Sequence, residues 1–184
     1  MSAKNNEYFD IITKQINREP EGMTKVSIIC PFDYPAVIKV YPFFNKRVFP
    51  TTYWLTCPYL NKKIAVLEDS GLIEKLQTKI NKDKHLKEEL KKAHQNYAKQ
   101  RMTMLSQEEI EEIKKISKDI IYTLKNSGIG GIKDKKGLKC LHTHVADYLV
   151  NESNPVGKIV FEKINWPDKC TICKELENNE KSSH

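Results

Sequence analysis

The stretch VFPTTYWLTCPYLNKKIAVL, residues 48–67, changes its periodicity in the middle. Its first half, Val48–Thr56, is rich in β-branched and aromatic residues, which is typical of a strand. From Pro58 onward the apolar residues recur every three or four positions, as on one face of a helix. Those helical positions are Leu60, Ile64 and Leu67, and Ser70-Gly71 ends the pattern. The switch predicts that a β part of the chain is followed by an α part.

The rest of the chain keeps to that division. Two more β-branched runs, Thr24–Cys30 and Ala36–Tyr41, are bordered by prolines, which are common at strand ends because they cannot donate to a sheet. Helical spacing occurs in Tyr8–Ile16, Leu72–Ile80, Lys84–Met104, a segment opened by the capping box of Ser106 and Glu109, a segment marked by Leu138, Leu141, Val145 and Leu149, and Pro155–Ile164. We therefore predict an α+β fold, in which a small antiparallel N-terminal sheet packs against a mainly helical body of roughly five to seven helices.

Length and composition favour a single domain. The 184 residues, of which 39% are hydrophobic, suffice for one buried core. Within it we expect residues 1–22 to form an N-terminal helix and linker, 23–57 the sheet, 58–165 the helical body and 166–184 a tail. The apolar runs are too short for a membrane span, and the polar start, Met1–Glu7, does not resemble a secretion signal. The expected location is therefore the cytoplasm.

The chain is basic, with a formal net charge of +7. The densest basic stretch is the predicted helix from Lys79 to Arg101, where eight lysine or arginine residues accompany three acidic ones. Such a surface permits binding to nucleic acid or to an acidic protein. Only three basic residues of the chain are arginine, the usual choice for gripping phosphate, so a lysine-rich solvated surface is the alternative.

The cysteines offer a second set of clues. They are Cys30, Cys57, Cys140, Cys170 and Cys173. In a reducing compartment clustered thiols more often bind metal or carry out redox chemistry than form disulfides. Cys170 and Cys173 form a C-x-x-C motif, whose spacing lets one turn offer two sulfurs to one ion. Cys30 and Cys57 each precede a proline. The alternative to metal binding for these two cysteines is that they are small buried residues of the core.

The densest chemical cluster is Lys139–Asp147, which reads KCLHTHVAD. On a helix Cys140, His144 and Asp147 share one stripe, whereas on an extended segment Cys140, His142 and His144 share one face. Either arrangement brings a thiol next to an imidazole. Cys140 is therefore a candidate nucleophile, with His142 or His144 as its base.

The single glycine cluster, Asn126–Gly131, has two interpretations. One is a flexible linker between helices. The other is a loop whose bare backbone binds an anionic substrate, phosphorylated or acyl, on which Cys140 acts as a hydrolase or transferase. The residues of this predicted anion site are Gly128, Gly130, Gly131 and Lys139, assisted by Lys133, Lys135 and Lys136.

Blocks rich in glycine, proline and cysteine recur along the chain. They are Gln15–Gly22, Cys30-Pro31 with Pro35 and Val37, Phe49–Leu60, Ser127–Gly131, Lys139–His142 with His144 and Ala146, and Asn154–Gly157. In these blocks the chain resembles the bacterial family called domain of unknown function 501, over about residues 15–157. The resemblance implies no particular reaction, but it indicates that Cys30, Cys57, Cys140 and His142 form a shared constellation. Asp147 stands where the family often carries histidine.

Together these patterns predict a cytosolic metal-binding protein. The predicted ligands are sulfurs and imidazoles far apart in sequence: Cys30, Cys57, Cys140, His142 or His144 and, as substitutes or a second site, Cys170 and Cys173. Zinc is the predicted metal, and an iron–sulfur cluster is the alternative. The competing functions are the thiol-dependent hydrolase or transferase and the basic interaction module.

Overall fold

Three antiparallel strands form the small sheet that the sequence predicts. The strands of this sheet are β1 (Met23–Ile29), β2 (Pro35–Val40) and β5 (Tyr53–Leu55), and two short strands, β3 (Phe43–Phe44) and β4 (Arg47–Val48), form a separate hairpin. β2 lies in the middle of the sheet, with Ile38 paired to Val26 of β1 and Val37 paired to Leu55 of β5. The structure is a computed structural model that describes residues 7–133 and 137–178.

The third predicted strand, Val48–Thr56, is interrupted. Val48 pairs with Phe43 in the separate hairpin, and only Tyr53–Leu55 join the sheet. Pro50 lies between these two pieces and has no N–H group to donate to a neighbouring strand. The proline therefore accounts for the break.

The described residues contain nine α-helices, two more than the upper limit of the prediction. They are α1 (Phe9–Ile16), α2 (Pro58–Asp69), α3 (Leu72–Lys82), α4 (Lys84–Met102), α5 (Gln107–Ile116), α6 (Lys118–Asn126), α7 (Leu141–Asn151), α8 (Pro155–Ile164) and α9 (Ile172–Asn178). One extra helix arises at Ser117, whose extended backbone ends α5 and whose hydroxyl accepts the Asp119 N–H at 3.2 Å to begin α6. The other is α9, which contains the second cysteine of the C-x-x-C motif.

Strand β2 is buried on both faces, because helices cover the sheet from two sides. Val37 belongs to the main core, which also takes residues from α2, α3, α4, α7 and α8. Ile38, on the opposite face, packs with Ile12 of α1 in a smaller cluster. None of the helices in the described ranges combines the length and the apolar character that a membrane crossing requires.

Arg101 lies in the interior, although it was counted in the basic face of Lys79–Arg101. Its guanidinium donates to the carbonyl oxygens of Leu124 near the end of α6, of Ser127 at 2.6 Å and of Pro50 at 2.5 Å. A buried cation at a helix C-terminus is stabilised by the unpaired carbonyls and the helix dipole there. The basic surface therefore consists of lysines, and Arg101 instead connects α4 to two loops.

The glycine segment links α6 to α7, as the linker interpretation says, but it is packed into the protein and not exposed. Ile129–Gly131 form one turn of 3₁₀ helix, and the Ile129 N–H donates to Nδ1 of His94 at 3.0 Å. A Cβ atom on Gly128 would lie only 2.4 Å from the same nitrogen, so no larger residue fits there without a shift of His94. Gly128 therefore makes the close approach to α4 possible, and its Cα faces the interior.

Candidate functional site

The start of helix α7 creates the site. Cys140 occupies the N-cap position with an extended backbone, but its side chain does not cap the helix. The free N–H of Leu141 donates instead to Oε1 of Glu68, at 2.6 Å, and Glu68 comes from the last turn of α2. Since the first N–H groups of a helix lack partners within it, they attract a carboxylate from a neighbouring element. The cap thus brings Glu68 to Cys140.

Three side chains of different chemistry meet there. Nδ1 of His142 lies 3.5 Å from Sγ of Cys140 and 3.5 Å from Oε1 of Glu68. All three atoms lie within 4.8 Å of one another. Tetrahedral zinc, with bonds of about 2.0–2.3 Å, separates its ligand atoms by roughly 3.3–3.8 Å, so both distances from the imidazole match such a site.

The second ring nitrogen of His142 fixes how the imidazole is oriented. Nε2 lies 3.2 Å from the backbone oxygen of Asn61, which can only accept a hydrogen bond. Nε2 is therefore the protonated nitrogen of the neutral ring, and Nδ1 presents a lone pair toward Cys140 and Glu68. The side chains of His142 and Glu68 remain 25% and 24% exposed, so small molecules reach this side of the site.

The thiol and the imidazole influence each other's protonation. Burial raises the pKa of Cys140, but the contact with the His142 imidazole, assisted by the nearby Thr143 backbone, outweighs it, and the net pKa is lowered. Burial lowers the pKa of His142, whereas its contacts with Cys140 and Glu68 outweigh that effect, and the net pKa is raised. The thiolate and the imidazolium thus favour one another.

An open cleft of about 330 Å³ begins at His142. It is lined by Arg18, Phe49, Pro50, Thr51, Tyr53, Trp54, Leu55, His142 and Thr143. The Arg18 guanidinium lies over the Trp54 ring, 4.6 Å from its centre, in a cation–π contact. The described lining includes this cation and no acidic side chain.

Part of the predicted anion loop borders this cleft. A Cβ atom on Gly131 would lie 4.0 Å from Pro50, and one on Gly130 would lie 3.1 Å from the Thr143 hydroxyl and 3.8 Å from Cβ of Lys139. Gly130, Gly131 and Lys139 are therefore near the cleft, and anion binding by them stays a prediction. Of the assisting lysines, Lys133 is exposed, and Lys135 and Lys136 lie outside the described residues.

His144, the other predicted ligand or base, is not part of this site. It is fully buried, its Nδ1 lies within 3.3 Å of the Asn154 amide, and its ring meets the edge of His94 at 5.7 Å. Burial, reinforced by His94, lowers the pKa of His144 to about 3, so it is neutral at pH 7. Asp147 is buried close by, where burial raises its pKa to about 6 against hydrogen bonds from Asn154 and Asn151.

The structure divides the predicted metal centre in two. Cys140 lies with His142 and Glu68, as described above. The other cysteines, Cys30, Cys57, Cys170 and Cys173, line a separate small cavity, and Cys140 is not among the residues of its wall. From the sequence alone these residues were assigned to one site, because the positions of the cysteines do not reveal which strand ends lie close together in the fold.

Sequence reasoning missed Glu68, Asn61 and Arg18. Each lies in a different element from Cys140 and reaches the site only through packing, as with α2 against α7. In the sequence Glu68 is one of many charged residues of a helix, and no spacing relates it to Cys140. The available signal was chemical. A cysteine and a histidine alone do not complete a zinc site, so a carboxylate or a further sulfur had to come from another part of the chain.

The basic surface is a separate feature of α3 and α4. The lysines between Lys79 and Lys99 are exposed, and they share the surface with Asp83, Glu88 and Glu89. Binding of nucleic acid or of an acidic protein by this surface stays a prediction. It would weaken steeply as salt is raised.

Comparison with known proteins gives one result. No curated protein and no solved structure matches the chain. A family model described as "Protein of unknown function (DUF501)" matches residues 26–162 of the 184. The matched part includes Glu68, Cys140 and His142 and leaves out Arg18 and the C-x-x-C motif. Since this match covers well over half of the chain and agrees with the sequence resemblance, the protein belongs to the DUF501 family.

Proposed function

We propose that the protein binds zinc at Glu68, Cys140 and His142, and that this centre keeps a fourth position open at the edge of the cleft. One observation carries the proposal: a carboxylate oxygen, a thiol sulfur and an imidazole nitrogen lie within 4.8 Å of one another. Zinc accepts all three types of ligand, and three protein ligands with one open position are typical of catalytic zinc.

The surroundings orient these ligands as a metal site requires. The Asn61 carbonyl accepts from Nε2 of His142, and the Leu141 N–H holds Glu68. Histidines that bind metal commonly donate their other ring N–H to a carbonyl in this way, which fixes the tautomer and the ring plane. The ligand atoms are therefore oriented before an ion arrives.

Charge favours a cation over the competing thiol nucleophile. Ionised Cys140 and Glu68 are both negative, and Glu68 opposes the net lowering of the pKa of the thiol by His142. A carboxylate beside a nucleophilic thiolate would disfavour the thiolate and repel an anionic substrate. A divalent cation instead neutralises both groups and favours their ionised forms.

The cleft suggests what such a centre would act on. Zinc lowers the pKa of a bound water to near 7 and so supplies hydroxide for hydrolysis. Arg18 offers positive charge next to the rings of Phe49 and Trp54. This combination suits an anionic ester that carries a flat apolar group, such as an aryl phosphate.

Metal titration of the full-length protein tests the proposal. We expect His142→Ala and Glu68→Gln each to weaken zinc binding at this centre at least about tenfold, because each removes one ligand. His85→Ala is the matched control, since Nδ1 of His85 lies 3.3 Å from Oε2 of Glu89 on the surface, where no thiol of the described residues completes a site. Unchanged zinc affinity in both ligand variants would contradict the proposal.

Thiol reactivity separates zinc binding from nucleophilic catalysis. If Cys140 is a ligand, alkylation by iodoacetamide at pH 7 is slow with zinc bound and becomes fast after chelation. If Cys140 is the nucleophile, alkylation is fast with or without chelator and slows when p-nitrophenyl phosphate is added. The second result would replace zinc binding with the thiol-dependent function.

A further inference from the structure

Two cysteines lie at the edge of the sheet that is formed by the strand ends, where β2 begins. Cys30 follows β1 and Cys57 follows β5, and both strands run antiparallel to β2, one on each side. The Cys30 N–H donates to the Tyr34 carbonyl at 2.8 Å, and the Cys57 N–H donates to the Ala36 carbonyl at 3.4 Å. The strand order alone thus brings these two cysteines to either side of Pro35.

The C-terminal segment carries the C-x-x-C motif to the same edge. Gln15 of α1 donates from Nε2 to Sγ of Cys173 at 3.3 Å and to the Pro35 carbonyl at 2.9 Å. The Tyr34 hydroxyl donates to the Glu177 carboxylate of α9 at 2.8 Å. Three separated parts of the chain, each with its own cysteine, are therefore fixed to residues 34–36.

The four cysteines surround a cavity of about 10 Å³. Its other walls are apolar and aromatic side chains, among them Trp166 and Pro167 of the C-terminal segment. A space of this size holds about one water-sized particle. Cys30, Cys57 and Cys173 are buried, and Cys170 is partly exposed at the rim. The cavity has room for a single ion, whereas a four-iron cluster is far larger.

Thiols and apolar or aromatic side chains make up the lining of the cavity. Burial raises the pKa of Cys57 to about 12. Burial, opposed by the hydrogen bond from Gln15, also raises the pKa of Cys173. The described lining contains no lysine or arginine.

We infer that Cys30, Cys57, Cys170 and Cys173 form a second zinc site, of the closed structural type, which fastens residues 166–178 to the sheet edge. One zinc ion displaces four thiol protons and forms four Zn–S bonds. In the described residues no three of these sulfurs lie within 4.8 Å of one another, so binding draws them together toward the roughly 3.8 Å spacing of tetrahedral zinc. This inference is independent of the centre proposed at Glu68, Cys140 and His142.

Metal counting distinguishes the two sites in the full-length chain. If both exist, the reduced wild-type protein binds two zinc ions, Cys170→Ser loses one of them, and His142→Ala loses the other. A Cys170→Ser protein that keeps the full zinc content of the wild type overturns the four-cysteine site and leaves the first proposal standing. Bound iron with a visible absorption band near about 400 nm, as iron–sulfur clusters show, also overturns the four-cysteine zinc site.

Two further measurements guard against a variant that fails to fold. Cys170→His keeps four ligands, so we expect it to bind cobalt in place of zinc with a weaker sulfur charge-transfer band than the wild type. In the wild type, labelling of Cys170 by maleimide and proteolytic cleavage near Asp168 should both accelerate at least about tenfold on chelation. Equal rates with and without chelator would contradict the inference.

Discussion

His142 and His144 lie two residues apart on α7 and have opposite environments. His142 is one-quarter exposed, and its Nδ1 faces a thiol and a carboxylate from outside its helix. His144 is fully buried, faces an amide and a second imidazole, and is neutral at pH 7 because burial lowers its pKa to about 3. The same residue type on one helix thus has two roles, because an α-helix turns about 200° in two residues.

The difference extends to the regions around these histidines. The buried region contains Arg101, His94, Asp147 and Asn154, and their hydrogen bonds join helices and loops. The region at the start of α7 is polar as well, but three of its groups converge on one point and remain accessible. A candidate site differs from a structural network in that its polar groups converge on one point and are accessible from outside. Being polar is not sufficient.

The largest expected effect comes from breaking the buried region at Arg101. Replacing Arg101 with Met leaves the carbonyls of Leu124, Ser127 and Pro50 without their shared donor. Each unsatisfied buried polar group costs about 1–3 kcal/mol, so we expect the free energy of unfolding to fall by about 3 kcal/mol or more. Urea denaturation monitored by circular dichroism measures it.

Arg47→Met is the control for this substitution. Arg47 forms an exposed ion pair with Glu21 at 3.1 Å, and such pairs contribute about 0–1 kcal/mol. If Arg101→Met and Arg47→Met shift the urea midpoint equally, the structural role assigned to Arg101 is wrong.

An intermediate effect concerns pH in the same buried region. Asp147, with its pKa raised to about 6, takes up a proton in the folded state before the unfolded state does, so it adds stability as pH falls from about 6 to 4. The pKa of His144 is lowered to about 3, so over the same interval this residue is protonated only in the unfolded state. Its contribution therefore lowers the stability of the protein as pH falls. In the wild type the two contributions oppose each other.

Asp147→Asn removes one of these opposing contributions. The stability of the wild type relative to this variant should rise as pH falls from 6 to 4, by at most about 1.4 kcal/mol per pH unit. Urea unfolding of both proteins at several pH values gives the difference directly, and contributions of other groups cancel in it. A difference that does not vary with pH would show that Asp147 titrates normally.

The smallest effect on stability is expected at the metal centre itself. With chelator present, His142→Asn should change the free energy of unfolding by less than about 1 kcal/mol, because the side chain is partly exposed and replaceable. The matched change one half-turn away, His144→Asn, leaves a cavity and should cost about 2 kcal/mol or more. Thermal unfolding of the two variants sharpens the comparison, and equal losses would place His142 in the structural network.

Much of the fold was predictable, since local patterns record it. The break in periodicity at Cys57-Pro58, the capping box of Ser106 and Glu109, and the helix from Pro155 to Ile164 all have their predicted places. These features depend on interactions within one or two turns of the chain. The split at Ser117 was missed, because the apolar spacing continues across it while the backbone does not.

The site was predictable only in its local part. The pairing of Cys140 with His142 follows from two residues on one helix start, and the sequence contains it. Glu68 and Asn61 come from α2, some seventy to eighty positions earlier, and no periodicity relates them to Cys140. The grouping of Cys30 and Cys57 with the C-x-x-C motif likewise depends on strand order and on where the tail packs.

Local sequence patterns indicate where strands give way to helices, which residues face the core, and that soft metal ligands are abundant. Short-range sterics, capping and burial set those properties, and each acts over a few residues. Only the tertiary structure decided that Cys140 belongs with Glu68 and the other cysteines with one another. Metal-ligand sets and clefts depend on distances between remote segments, which long-range packing of the whole core fixes.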